Sequence, residues 1–539
     1  MERPRDLRPG ADYIIVGAGS AGCVLAHRLS EDPRNRVLLL EAGPEDRYPW
    51  IHIPIGYGKT MFHPVYNWGF YTDPEPNMKG RKLYWPRGRC LGGSGSINGL
   101  IYVRGQPEDY DAWRDAGNTG WGWGDVLPYF IRSERNSRGA FPGHGGDGMQ
   151  WCSDIGVKHE LMEAIIAAGN ELGVPTTDDF NAGRQEGVGY YQLFTRHGWR
   201  CSSAVGYLRP ARKRPNLEVR TNAQATRVLF EGTRAVGVEY RQDGALHTVP
   251  AAREVILSAG AIQSPQLLQL SGVGPAALLR SFGIPVVADR ANVGENLQDH
   301  LQIRLIYKVS RPITTNDDLA SLIGKIRIGL EWLLHRRGPL AVGINQGGLF
   351  TRALPQSTRP DIQFHFATLS ADVAGGAPHP WSGCTFSVCQ LRPESRGTVR
   401  IKSKDPFEAP SMQPNYLSAA LDRACAVAGL RFARRLAATK ALAPYIGAEH
   451  RPGPAVTDDA GLLDFAREHG QTIFHPSGTC RMGADDASVV DPQLRVRGVQ
   501  GLRVVDCSIM PALVSGNTHA PVVMIAEKAS DLIVGTGRT

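Results

Sequence analysis

The chain has 539 residues, 42% hydrophobic and 21% charged, which is too long for one ordinary core, so two or more domains are expected. No apolar run approaches the ~20 residues of a membrane span, and a net charge of +8 is modest for this length. Nine scattered cysteines with no Cys-x-x-Cys pair exclude a disulfide framework and a zinc site, and read as free thiols of a reducing compartment.

The segment Met1-Glu2-Arg3-Pro4-Arg5-Asp6-Leu7-Arg8-Pro9 is charged and proline-broken. It leaves no room for a signal peptide's apolar region, so a cytoplasmic protein is expected. The first predicted element is a strand, Tyr13-Ile14-Ile15-Val16, running straight into Gly17-Ala18-Gly19-Ser20-Ala21-Gly22. A helix follows, with Ala21, Val24, Leu25 and Leu29 at helical spacing. In this order Gly17 permits the tight turn, Gly19 lets backbone approach a pyrophosphate, and Gly22 lets helix and strand pack closely. The helix N-terminus, opened by Ser20 and Ala21, offers N–H groups and a positive dipole end to phosphates. A second apolar run, Val37-Leu38-Leu39-Leu40, ends in Glu41 and Ala42. That spacing puts a carboxylate where a ribose offers its two hydroxyls. The motif does not separate FAD from NAD, but Glu41 argues against NADP, whose 2′-phosphate would want an arginine.

Residues 45–78 form a long irregular stretch with Tyr57, Phe62, Tyr66, Trp68, Phe70 and Tyr71. The aromatics argue for order, as a lid, a dimer contact or a packed surface connection. The five small residues from Gly92 to Ser96 then expose many backbone N–H groups, fit to lie against a planar or anionic ligand.

The run Arg87-Gly88-Arg89-Cys90-Leu91-Gly92-Gly93-Ser94-Gly95-Ser96-Ile97-Asn98-Gly99 resembles the first signature of the glucose–methanol–choline (GMC) oxidoreductases, FAD-dependent enzymes that oxidise alcohols. Three later stretches resemble the family in the right order: Ser258-Ala259-Gly260-Ala261-Ile262-Gln263-Ser264-Pro265, Val293-Gly294-Glu295-Asn296-Leu297-Gln298-Asp299-His300, and residues 475–528. The resemblance implies an α/β protein in which a Rossmann-like FAD-binding domain carries a substrate domain built on an antiparallel sheet flanked by helices. It places the FAD domain at 1–154, 201–308 and 467–539, and the substrate domain at 155–200 and 309–466. It implies FAD contacts from Gly17, Gly19, Ser20, Ala21, Glu41 and Ala42, and from Arg87, Gly92, Gly93, Ser94, Asn98 and Gly99. It also implies backbone near Val228 at the adenine, Asp506 and Cys507 on the pyrophosphate side, and His519 and Pro521 where the flavin site closes. Some relatives attach flavin covalently through a histidine just before the signature's Asn. Here that position is Ile97, so non-covalent FAD is expected.

Further along, 217–220 and 225–230 read as strands, and 254–260 as a buried strand before a helix over 261–270. The basic run Arg209-Pro210-Ala211-Arg212-Lys213-Arg214 reads as a solvated loop, and without interleaved aromatics it does not suggest nucleic acid. Residues 322–335 form an amphipathic, basic helix, read as packed on a sheet, with weak peripheral membrane association as the alternative. Residues 361–366, 384–389 and 397–401 alternate in period two, as antiparallel strands do.

In the terminal region the resemblance makes His475 the catalytic histidine, a side chain suited to accept and release a proton near neutrality. Counting back from Lys528 makes Asn517 its partner. His519 takes that role if the register is wrong by two. The implied reaction is oxidation of a small, primary alcohol to the aldehyde. His475 takes the hydroxyl proton, hydride passes to flavin N5, and a quinone-type carrier, another acceptor or O2 reoxidises the flavin. A cyanohydrin-cleaving lyase on the same scaffold is the competing class.

Overall fold

The computed structural model describes residues 10–373 and 375–536, and the proline-broken segment 1–9 lies outside them. Strand β1 (Ala11–Val16) turns through Gly17, at φ 99°, into α1 (Ser20–Leu29) and returns in β2 (Val37–Leu40). β1 and β2 pair in parallel, Tyr13 with Val37 through Val16 with Leu40. Their near-continuous apolar character suits strands buried on both faces. A Cβ at Gly22 would stand 1.9 Å from the Gly17 carbonyl oxygen, so α1 can leave the turn this closely only with glycine there.

The chain then places α2 (Glu160–Glu171) and β3 (Gly187–Tyr190) before returning to the first sheet. β4 (Leu217–Arg220) joins the free edge of β2. β5 (Gln224–Glu231), β6 (Arg234–Gln242) and β7 (Ala245–Leu257) form a meander. β7 serves twice, antiparallel to β6 along its first half and parallel to β1 along its second. It leads into α3 (Gly260–Leu270).

The second sheet takes β8 (Leu301–Val309) and, after α4 (Leu322–His335), β9 (Asn345–Thr351), β10 (Ile362–Ala367) and β11 (Gly383–Gln390). Following α5 (Ala420–Ala437) it adds β12 (Ile446–Arg451) and β13 (Gln471–Thr472). Its order is β12-β8-β11-β10-β9-β3, with β13 on β8, and every pair is antiparallel. One face packs under α5 and α2. The chain ends by returning β14 (Leu502–Val504) beside β7, then α6 (His519–Thr536) against α1.

Four expectations change. The crossings into and out of the second sheet fall before Leu301 and after Thr472, not at 308 and 467, because β8 and β13 pair with each other. Residues 45–78 are not irregular throughout. They make short helical turns, Pro49–His52, Pro54–Gly56 and Tyr57–Thr60, held by stacked rings such as Tyr48 on Tyr66 and Trp68 on Phe70. The basic run 209–214 is mostly exposed to solvent, as expected, but is not a plain loop. It starts with a helical turn, and Arg209 pairs with Asp46 and Arg212 with Glu45. Helix α4 has the expected bounds, but among the described residues the sheet it meets is the two-stranded hairpin 195–200, through Trp332, and neither large one. It packs on the Thr315–Ala320 helix and the Pro339–Ala341 turn.

Candidate active site

A cavity of about 940 Å³ runs between the strand ends of the first sheet and the open face of the second. On the first side, Gly17, Gly19, Ser20 and Ala21 line it at the mouth of α1, with Glu41 and Ala42 at the end of β2. No side chain caps α1, so its first amides face the cavity without a capping group, the arrangement an anion satisfies. Glu41 is held in place by the amides of Ala18 and Gly43, each 2.9 Å from a carboxylate oxygen. Burial pushes its pKa up to about 7, which keeps a hydrogen-bonding carboxyl at the strand end. A Cβ at Gly19 would meet nothing closer than 3.8 Å, so the space over that residue belongs to the cavity.

Arg87, Gly93, Ser94, Asn98 and Gly99 line the same cavity, as do Asp506, Cys507 and His519. Arg87 donates to the carbonyl oxygen of Phe474 at 2.7 Å. Asp506 accepts from the Gly260 amide (2.8 Å) and the Ser264 hydroxyl (2.6 Å), pinning the end of β14 to the start of α3. Three expected contacts lie off the lining. The Gly92 amide donates to the Ala18 carbonyl at 2.7 Å, tying the glycine-rich run to the β1–α1 turn. The Val228 amide is taken by the Ser271 hydroxyl at 2.8 Å, and Ala223, Gln224 and Ala225 line the cavity instead. Pro521 lies off it, and its neighbour Val522 lines it. The residues present fit FAD: an uncapped helix end, an acid at the second strand and a flat run of small residues.

On the opposite side, β8, β11 and β10 turn Gln302, Arg304, Ser387, Thr385, His365 and Ala367 towards the cavity. His475 sits at the junction. Its amide donates to Asp299 Oδ1 at 2.8 Å, and its Nδ1 lies 3.0 Å from His300 Nδ1. His300 Nε2 lies 2.9 Å from the carbonyl oxygen of Leu391. A carbonyl can only accept, so His300 carries its proton on Nε2 and offers a lone pair at Nδ1. His475 must then carry its proton on Nδ1, leaving Nε2 as a free base. Asn517 Nδ2 stands 3.4 Å from that Nε2. The Asn517 carbonyl accepts from Gln363 Nε2 at 3.1 Å, which fixes the amide the right way round. His519 does not take this place, because its Nδ1 is 2.9 Å from the Ser20 hydroxyl.

Burial, with His300, His365 and Arg87 adding positive potential, holds His475 well below the usual histidine range. Burial pushes His300 down to about 4 and His365 down to about 3. Neither ring nitrogen of His365 makes a well-aligned hydrogen bond among the described residues, and the Asn517 side chain is the polar group near it. Arg304 lines the cavity with its buried Nη1 also unpartnered there, and burial lowers it to about 10. The only carboxylates among the described lining residues are Glu41 and Asp506, both on the nucleotide side.

Sequence reasoning gave no role to His300, Gln363, His365 or Arg304. The first was inside a quoted motif. Gln363 and His365 carried a usable signal, two polar residues at period two in an otherwise apolar strand. Arg304 carried none.

Comparison with known proteins identifies the family. Family models of the N- and C-terminal parts of GMC oxidoreductases match residues 11–302 and 393–526. An alcohol dehydrogenase [acceptor] of Pseudomonas putida is 46% identical over 97% of this chain and 95% of its own. The mitochondrial choline dehydrogenase of Homo sapiens is 45% identical over 98% of this chain and 91% of its own. Among solved structures, a pyridoxine 4-oxidase from Mesorbium loti superposes with a TM-score of 0.88 at 33% identity, over 96% of this chain and 98% of its own. The chain belongs to the GMC oxidoreductase family.

Proposed function

We propose that the protein binds FAD non-covalently and oxidises an uncharged or anionic primary alcohol to the aldehyde. The observation that carries this is the proton order Leu391–His300–His475, which leaves His475 Nε2 unprotonated beside Asn517. His475 Nε2 takes the hydroxyl proton, and the Asn517 amide donates to the substrate oxygen and holds it in line. The developing alkoxide is then stabilised by that amide and by the His475 proton. FAD, when bound, supplies the two-electron acceptor, and a quinone-type carrier, another acceptor or O2 takes the electrons on. Ile97 lines the cavity at the signature position and has no atom that could bond a flavin.

Choline fits this substrate wall poorly. A quaternary ammonium wants a carboxylate or an aromatic cage; the lining brings the aromatics Trp50, Tyr57, Trp68 and Phe474 but no carboxylate on the substrate side among the described residues, and it sets against a cation Arg304 and Lys59, the latter 3.8 Å over the Trp50 ring. The test is anaerobic mixing of the yellow holoenzyme with straight-chain primary alcohols, ω-hydroxy acids and choline. Bleaching by the first two classes and not by choline is expected. Choline as the best substrate sinks the charge argument. No bleaching by any alcohol sinks the oxidation and favours lyase chemistry.

A further inference from the structure

Helix α4 is apolar on two opposite faces. Its inner face is anchored: Gly324, Ile328 and Trp332 are buried, and the Trp332 Nε1 donates to the Gly198 carbonyl at 3.0 Å. Arg336 lies over both Trp332 and Trp199. On the outer face Leu322, Ile323, Ile326, Leu330, Leu333 and Leu334 are between 49% and 81% exposed. At 3.6 residues per turn these six fall within an arc of about 120°, opposite Ile328. Scattered exposed leucines need no explanation, but a continuous stripe of them marks a contact surface.

The chemistry around the stripe names the partner. Lys325 flanks one edge and Arg327, ion-paired with Asp318, the other; Arg336, stacked on the inner-face tryptophans, and Arg337 follow the helix end. The helix's one carboxylate, Glu331, lies against Gly338 at the C-terminal end, where a Cβ would stand 2.6 Å from its oxygen. A leucine and isoleucine stripe with Lys325 at one edge, Arg327 at the other and Arg337 beyond its end suits a bilayer interface, where acyl chains take the stripe and the cations reach lipid phosphates. A second copy of this helix would bring the same cations rather than complementary carboxylates.

The stripe also adjoins the cavity entrance. Lys325, Ile328 and Gly329 of the same helix line the cavity. So does Val373, itself half exposed, and the exposed Phe62 lies against Gly375 on the same rim. We propose that α4 docks the protein, lying in the interface plane, on an anionic phospholipid surface, with the cavity entrance turned towards the lipid. No helix among the described residues is long and apolar enough to cross a membrane, so the contact is one of insertion to a helix's depth.

The test is co-sedimentation of the full-length holoenzyme with two vesicle types, phosphatidylcholine alone and phosphatidylcholine mixed with phosphatidylglycerol. The wild type is expected to pellet with the mixed vesicles, to pellet less with the neutral ones, and to lose part of its binding in high salt. A variant carrying Ile323→Ser, Ile326→Ser, Leu330→Ser and Leu334→Ser is expected to bind at least about tenfold more weakly. It should still be bleached by a short soluble alcohol as the wild type is, because none of the four lines the cavity. The single change Ile323→Glu, at the most exposed position of the stripe, is expected to weaken binding too, so the test does not hang on one heavily altered chain. A wild type that stays in the supernatant with mixed vesicles overturns the proposal, as does unchanged binding by both variants. So does a lipid-free dimer, seen by light scattering, that the four-serine variant converts to a monomer. Vesicle binding is read without turnover, so its failure is distinct from failure of the alcohol reaction.

Discussion

His475 is made ready by protons that belong to its neighbours. The Leu391 carbonyl fixes the His300 proton, His300 fixes that of His475, and a lone pair is left facing Asn517. A base in this state works only while neutral. Burial and the surrounding positive groups hold His475 well below the usual histidine range, so it stays neutral as pH falls through 6.5, the ordinary histidine value. The acid limb of kcat/KM is therefore expected well below pH 6 in the wild type. A limb centred near pH 6.5 would show that no such depression exists. His475→Ala is expected to lower turnover by roughly 10²–10⁴-fold, the usual worth of a general base, with yellow colour retained through gel filtration. Near-normal turnover would remove His475 from the chemistry. This much of the site was legible: Glu41 from strand spacing, and His475 and Asn517 from motif resemblance. Arg304 and His365 were not, because a polar residue on a strand does not show which face it shares with the site, and each gains its setting only when β8, β11 and β10 lie side by side.

The β1–α1 turn separates two uses of glycine that look alike in sequence. At Gly22 a Cβ would lie 1.9 Å from the Gly17 carbonyl oxygen, a clash with backbone that only movement of the turn can relieve. Gly22→Ala is expected to destabilise the folded protein by about 1–3 kcal/mol, the usual cost of overpacking. At Gly19 the nearest atom to a Cβ is 3.8 Å away, and its φ of −73° is open to any residue. Gly19→Ala should therefore leave the fold intact and weaken flavin retention, because the added methyl enters the cavity. Thermal unfolding together with flavin retained on gel filtration distinguishes the two, and equal loss of Tm in both variants would refute the distinction. Helix α4 shows the limit of pattern reading at this scale. Apolar spacing located the helix to the residue, yet it carries two apolar stripes, and periodicity cannot say which one the fold covers. The crossing before Leu301 was missed for a related reason: β8 starts directly after His300, with no linker composition to mark it.

Across the whole molecule, the fold buries titratable groups of both kinds in and around the cavity, and their effects on stability oppose one another. Glu41 and Glu75 are raised to about 7 and Asp299 to about 6, each chiefly by burial. Between their ordinary values near 4 and these raised ones, the folded state holds more protons than the unfolded chain, so stability falls as pH rises. His300 is lowered to about 4 and His365 and His519 to about 3, again by burial, and His475 is lowered with them. Between those values and 6.5 the unfolded chain holds more protons, so stability rises with pH. From about pH 4.5 to 6 the buried histidines act against the buried carboxyls, Asp506 among them, so their contributions largely cancel and the net slope is shallow. Below about pH 4.5 the carboxyls are protonated in both states and stop contributing, while the histidines still resist protonation in the fold. The slope should then steepen. Tm of the holoenzyme is accordingly expected to decline gently from pH 6.5 to 4.5 and to collapse below it. A decline as steep above pH 5 as below 4.5 would mean that the buried carboxyls ionise normally, and that Glu41 faces the cavity as a full negative charge at every working pH.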